Sequence, residues 1–153
     1  MARSTARETV MQLFYEKSLG GDGGEISQDM ILEQINQGEQ KPIKLTKADQ
    51  LYISRVVEGL APRLEELDTL ISQTAVSWEI DRIGKVDLAI LRLAIYELLY
   101  EPNTPASVVI NEAVVLGNRY SQPASGKFIN GILATVLNTT EKESLVKSEN
   151  PQE

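Results

Sequence analysis

Apolar residues recur along most of this chain at the three- and four-residue spacing of amphipathic helices. The pattern predicts seven helices, which are separated by segments rich in glycine, proline and polar residues. They cover approximately residues 3–19, 26–37, 46–59, 63–76, 83–101, 105–120 and 125–137. Because no alternating strand pattern and no repeat period accompany them, we predict an all-α fold.

The segment from Ile83 to Glu101 is the most apolar, and its apolar residues cover the whole circumference of a helix. Such a helix is either a membrane span or a buried core helix. Lys85, Asp87, Arg92 and Glu97 interrupt the segment, whereas a span tolerates few charges. We therefore predict a central buried helix, with Arg92 and Glu97 paired inside the protein.

Smaller patterns define the other elements. Thr46 and Asp49 have the spacing of a capping box at the start of the third helix, and Gly59 and Pro62 are expected to end or kink that helix. Trp78, in a connector over residues 77–82, is expected to be partly buried. We expect the carboxylates of the fourth helix to face solvent; these are Glu65, Glu66 and Asp68.

Composition excludes several kinds of chemistry. The chain has 153 residues, enough for one domain with a real core, and it contains no cysteine and no histidine. Disulfides, Cys/His zinc sites, thiolate nucleophiles and histidine acid–base catalysis are therefore excluded. We predict no metal site, no cofactor and no enzymatic activity, since a carboxylate-bridged metal bundle also needs histidine.

Charge limits the way in which this chain can bind nucleic acid. Its 15 basic and 22 acidic residues give a net charge of −7, whereas phosphate binding depends on clustered lysine and arginine. Any RNA site must therefore be a local patch that needs help from a partner. The N-terminus lacks an apolar signal core, and no segment has the pattern of a membrane span, so we expect a cytoplasmic protein.

Three groups of residues, in order and at matching spacing from about residue 3 to 138, resemble the NusB family of transcription antitermination factors. The groups are ARE at 6–8 with QLFY at 12–15; Trp78, Asp87, ILRLA at 90–94 and YEL at 96–98; and Pro105, Val108, INEA at 110–113 and KFINGIL at 127–133. No single motif is decisive, but the ordered set is specific. A related RNA-binding domain of some RNA cytosine methyltransferases is similar too.

The resemblance implies a single domain over residues 1–138. Two three-helix subdomains, at about 3–77 and 78–138, would pack around the central helix. Residues 139–153, with two lysines against four glutamates, are expected to form a polar, disordered tail. The implied function is antitermination within the transcription elongation complex, by binding single-stranded boxA-like RNA together with the ribosomal protein NusE. That activity would support ribosomal RNA transcription.

The resemblance also implies an RNA-binding set, namely Arg3, Arg7, Lys127 and Phe128. Charge near a helix start suits phosphate, and an aromatic ring suits a stacked base. Two alternatives stay open, because Arg7 could instead form a salt bridge to a nearby acid and Phe128 could instead pack in the core. Arg119 and Tyr120 could border the same surface.

For the protein partner, the resemblance implies contacts at Tyr15, Glu79, Arg82 and Asp87. Asp87 could offer a carboxylate to a basic ribosomal protein. Alternatively, it could only stabilise the start of the central helix, an effect worth about 0.3–1 kcal/mol.

The chain also departs from the family pattern, since only Arg3 precedes Arg7 and Gly117-Asn118 replaces a commoner Ala-Lys. Asn111 and Asn130 are expected to hydrogen-bond backbone at helix junctions. The thin basic patch leaves a second hypothesis, a protein–protein adaptor of the same fold with little RNA affinity.

Overall fold

The structure is a computed structural model that describes residues 2–19, 45–75 and 83–149, with side chains over 4–19, 45–75 and 83–139. Over these residues it contains six α-helices, one 3₁₀ turn and no strand. They are α1 (Ala2–Ser18), α2 (Lys47–Leu60), the 3₁₀ turn (Ala61–Arg63), α3 (Leu64–Thr74), α4 (Lys85–Tyr100), α5 (Ala106–Tyr120) and α6 (Ser125–Glu149). The all-α prediction is therefore confirmed.

Local sequence signals set the limits of α2. The Thr46 hydroxyl accepts a hydrogen bond from the Asp49 backbone N–H, and the Asp49 carboxylate accepts one from the Thr46 N–H, each at 3.1 Å. This is the predicted capping box. Pro62 lies in the 3₁₀ turn after α2, since proline has no N–H to continue the helix.

The most apolar helix, α4, is the centre of the fold. It contacts each of the other five described helices, and Ile90, Leu91 and Ile95 are almost completely buried. A helix that is apolar all round requires neighbours on every side, and these five helices provide them. The prediction of a central buried helix is confirmed.

Two charged side chains of α4 are paired inside the protein, as predicted. Arg92 donates two hydrogen bonds of 2.7 Å to the carboxylate of Asp68 on α3. Glu97 accepts hydrogen bonds from Arg7 on α1 at 2.9 and 3.1 Å. The expectation that Asp68 faces solvent is therefore wrong, because its carboxylate bonds to a cation of the central helix.

Several expectations lie outside the described residues, namely the helix at 26–37, Trp78 and the connector at 77–82. At the other end of the chain, α6 continues to Glu149, whereas composition led us to expect a disordered tail after residue 138. Residues 139–149 contain neither glycine nor proline and are rich in glutamate and lysine, which favour helix. The division into two subdomains remains a proposal.

Candidate nucleic-acid and partner interface

A cavity of about 490 Å³ lies where the first turns of α4 and α6 meet the end of α5. Its lining includes Lys85 and Asp87 of α4, Tyr120 of α5, and Ser125 and Phe128 of α6. We call it the α4–α6 cavity. It brings together two of the predicted site residues, Asp87 from the partner-binding set and Phe128 from the RNA-binding set.

Asp87 gives this cavity a buried carboxylate. Asp87 is 9% exposed, and the Ser125 hydroxyl donates a hydrogen bond of 3.0 Å to Asp87 Oδ2. The Ser125 oxygen also lies 2.9 Å from the Ser121 hydroxyl, so Ser125, with its one proton, accepts from Ser121. Asp87 Oδ1 is buried and has no hydrogen-bond partner among the described residues.

The unpaired oxygen is costly. A buried acceptor without a donor costs about 1–3 kcal/mol, and more when it is charged. The position of Asp87 in the first turn of α4 offsets part of this cost through the helix dipole. A ligand that donates a hydrogen bond to Oδ1 would remove the remainder, so both earlier interpretations of Asp87 are compatible with its geometry.

Lys127 and Phe128 point to different sides of α6. Phe128 is half-buried, packs against the core and lines the α4–α6 cavity. Lys127 is exposed and lines a separate groove between α5 and α6. Phe128 thus combines the two roles that the sequence left open, because one part of its ring supports the core while another borders a cavity.

Arg7 lies in the interior, where it cannot meet a phosphate without disrupting the fold. Arg7 is only 4% exposed. Besides Glu97, the guanidinium lies 3.9 Å from Glu112, whose carboxylate accepts from the Ser4 hydroxyl at 2.6 Å. Burial acts to lower the pKa of Arg7. The hydrogen bond to Glu97 and the charge of Glu97 together outweigh this effect, so that the pKa is raised. The salt-bridge alternative fits this geometry, and the predicted phosphate contact does not.

Glu8, next to Arg7, is also buried and links α1 to the end of α5. Arg119 donates to its Oε2 at 2.8 Å, and the Tyr120 hydroxyl donates to the same oxygen. Burial, followed by this hydrogen bond, raises the pKa of Tyr120 to about 12. The exposed charge of Arg119 is therefore already paired with Glu8, and this pairing weakens the attraction of Arg119 for a phosphate.

The other predicted residues are only partly placed. Arg3 lies in α1, but its side chain is outside the described residues, as are Glu79 and Arg82 entirely. Tyr15 is half-buried and packs against the core. Sequence reasoning missed Ser125, which donates to Asp87 and lines the α4–α6 cavity. Its place at the start of a predicted helix, two residues before Lys127, could have marked it as a site residue.

Neither a metal site nor a membrane-spanning helix emerges from the described part of the chain. No group of three or more acidic side chains there could hold a metal ion, and no helix there is long and apolar enough to cross a membrane. The arrangement offers polar, charged and aromatic contacts, which suit binding.

Comparison with known proteins identifies the fold. The NusB family model matches residues 4–138. The transcription antitermination protein NusB of Acetivibrio thermocellus is 44% identical over 137 residues, covering 90% of this chain and 89% of that protein. NusB of Ruminiclostridium cellulolyticum is 41% identical over 136 residues, covering 89% and 88%.

A solved structure agrees with the sequence relatives. A chain in the crystal structure of the antitermination factors NusB and NusE in complex with dsRNA superposes with a TM-score of 0.74 and 29% identity. The match covers 90% of this chain and 97% of that chain.

Proposed function

Since this chain belongs to the NusB family of transcription antitermination proteins, we propose that it acts by binding boxA-type RNA together with NusE. In this role it supports ribosomal RNA transcription in the cytoplasm. It works by binding, without catalysing a reaction. The solved complex of a similar chain with NusE and dsRNA supports the choice of partners.

The observation that carries the proposal is the α4–α6 cavity. It combines an aromatic ring at Phe128 with a buried carboxylate oxygen of Asp87 that has no donor among the residues that the structure describes. Lys127, adjacent in sequence to Phe128, is an exposed cation. Single-stranded RNA is bound by stacking on aromatic rings, by contacts to phosphates and by hydrogen bonds to base edges.

NusE is proposed to contact Asp87 and Tyr15, together with Glu79 and Arg82, which precede α4 in the sequence. A basic protein is attracted by a chain of net charge −7. A cationic side chain of the partner could also donate to Asp87 Oδ1, which has no donor in the described part of the chain.

RNA is proposed to contact Arg3, Lys127 and Phe128. Arg7 is excluded from this set because it is buried against Glu97, and Arg119 is already paired with Glu8. Arg3 and Lys127 are then the two cations of the proposed RNA-binding set, so we expect weak binding to RNA alone and much tighter binding when NusE is present. The same scarcity favours the alternative function, an adaptor that binds NusE but has little RNA affinity.

The test is fluorescence anisotropy of a labelled boxA RNA titrated with the protein, with and without NusE, at two salt concentrations. We expect weak, salt-dependent binding of the RNA, and a higher RNA affinity when NusE is added. Replacing Phe128 by Leu keeps apolar volume in the core but removes the ring, and should weaken binding about tenfold, since stacking contributes roughly 1–3 kcal/mol per base.

Lys127→Gln should reduce the slope of log affinity against log salt by about 0.7, as one phosphate contact is lost. Lys47→Gln is the matched control, because Lys47 is also exposed but lies at the start of α2. If RNA fails to bind with or without NusE, the antitermination mechanism is refuted and the adaptor function replaces it.

A further inference from the structure

A second concave surface lies on the other side of α6 from the α4–α6 cavity. This α5–α6 groove has a volume of about 730 Å³, and its lining combines apolar residues, which include Ile110, Val114, Pro123 and Leu137, with the polar residues Ser107, Asn111, Asn118, Lys127 and Asn130. The two helices approach closely at its floor. A Cβ added to Gly126 would lie 2.5 Å from Asn118 Oδ1, so the glycine leaves room for that amide.

The lining has an unusual charge for this protein. In a chain of net charge −7, Lys127 is the only charged residue among the described lining of the groove. A carboxylate-free surface with one cation is compatible with a polyanion, whereas most of the molecule would repel one. Such a lining suits an anionic ligand whose charge lies beside Lys127.

The amides indicate what else the ligand carries. Each asparagine side chain offers both a donor and an acceptor, and such pairs match the edges of nucleic-acid bases. Asn111 and Asn118 are seven residues apart on α5, and Asn130 follows Lys127 by three on α6, so each pair shares a helix face. All three asparagines are exposed and therefore accessible to a ligand, and the expectation that Asn111 and Asn130 hydrogen-bond backbone at helix junctions stays a prediction.

We propose that the α5–α6 groove binds one base of single-stranded RNA, next in sequence to the base that stacks on Phe128. Lys127 and Phe128 are consecutive, yet they line the groove and the cavity respectively. A strand that crosses the start of α6 would place one base on each side, with the linking phosphate at Lys127. Ile110 and Val114 supply an apolar wall for the face of the base.

The inference rests on the proposed RNA-binding function and adds a second base site to it. The first test uses the full chain with NusE and a labelled boxA RNA in which single positions are made abasic. In the wild-type protein, two adjacent abasic positions should each weaken binding. The Asn118→Ala/Asn130→Ala variant should bind intact RNA about tenfold more weakly. For this variant, one of the two abasic positions should cause no further loss of affinity, while the other should still weaken binding.

The second test follows the asparagine side-chain amides directly by NMR during addition of the same RNA. The resonances of Asn118 and Asn130 should shift, while that of Asn103 should not. Asn103 is exposed in the turn between α4 and α5, and Asn103→Ala is the matched control for affinity.

The possible outcomes separate the two proposals. If Phe128→Leu weakens binding but the asparagine variant binds like wild type and its amides do not move, the groove site is refuted and RNA binding stands. If wild-type protein with NusE does not bind the RNA, both proposals are overturned. Equal weakening by Asn103→Ala would also contradict a specific groove site.

Discussion

At the scale of single residues, the burial of charge in α1 determines which cations can meet RNA. Arg7 and Glu8 are adjacent and both are nearly inaccessible. Arg7 pairs with Glu97 of α4, and Glu8 pairs with Arg119 of α5. A buried charge must be paired to be tolerated. The pairs therefore tie α1 to the rest of the fold and remove Arg7 from the surface.

Replacing Arg7 by Met should destabilise the protein by about 3–5 kcal/mol, because Glu97 would remain buried without its partner. Urea unfolding measures the loss. The double variant Arg7→Met/Glu97→Leu should recover most of it. RNA affinity per folded molecule should be unchanged.

The matched control is Arg55→Met. Arg55 also donates to a glutamate, Glu101, at 2.7 Å, but its side chain is 51% exposed, so the loss should be at most about 1 kcal/mol. A stable Arg7→Met variant that loses RNA binding would contradict the buried pair and restore Arg7 as a phosphate contact.

The position of Arg7 could not be predicted from its neighbours in sequence. The resemblance placed Arg3 and Arg7 in one RNA-binding set, and their spacing of four residues puts them on one helix face, but neither observation decides between that role and the salt bridge that stayed open for Arg7. The deciding partner, Glu97, is 90 residues away. Sequence reasoning did predict that Glu97 is paired inside the protein, and asking which cation pairs with it was the missing step.

At the scale of elements, close contacts between helices depend on particular glycines. Gly59 in α2 lies against the ring of Tyr96 in α4, where an added Cβ would lie 2.8 Å from the ring Cζ. Tyr96 is buried, so its ring has little room to move. By contrast, a Cβ added to Gly131 in α6 meets nothing within 4 Å.

Gly59→Ala should therefore destabilise the protein by about 1–3 kcal/mol through overpacking, although alanine favours helix. Gly131→Ala should stabilise it by about 0.5–1 kcal/mol, since only the helix preference changes. Thermal or urea unfolding of both variants measures the difference. If both substitutions stabilise the protein, the close packing of α2 on α4 is contradicted.

Helix limits were the most predictable part of the fold. The observed ends of α2, α4 and α5 lie within two residues of those expected, because capping, proline and apolar spacing act locally. The end of α6 was not predicted, since its last residues have no apolar pattern to reveal a helix. The α4–α6 cavity could not be predicted either, because it requires the relative placement of three helices.

At the scale of the whole molecule, RNA and NusE must be coupled if both bind near the α4–α6 cavity. Whatever factor NusE adds to RNA affinity, RNA must add to NusE affinity. Isothermal titration of NusE into the protein, with and without boxA RNA, should give a tighter dissociation constant with RNA, typically by about 5–150-fold. Equal dissociation constants would refute the coupling.

The pairing of α1 with α4 and α5 has a consequence for synthesis on the ribosome. The residues that neutralise Arg7 and Glu8 are Glu97 and Arg119, so α1 is made long before its partners. During translation, which proceeds from the N-terminus, this helix cannot complete its charged contacts until α5 has emerged. Although α1 is made before α4 and α5, it therefore reaches its native environment only after both of them.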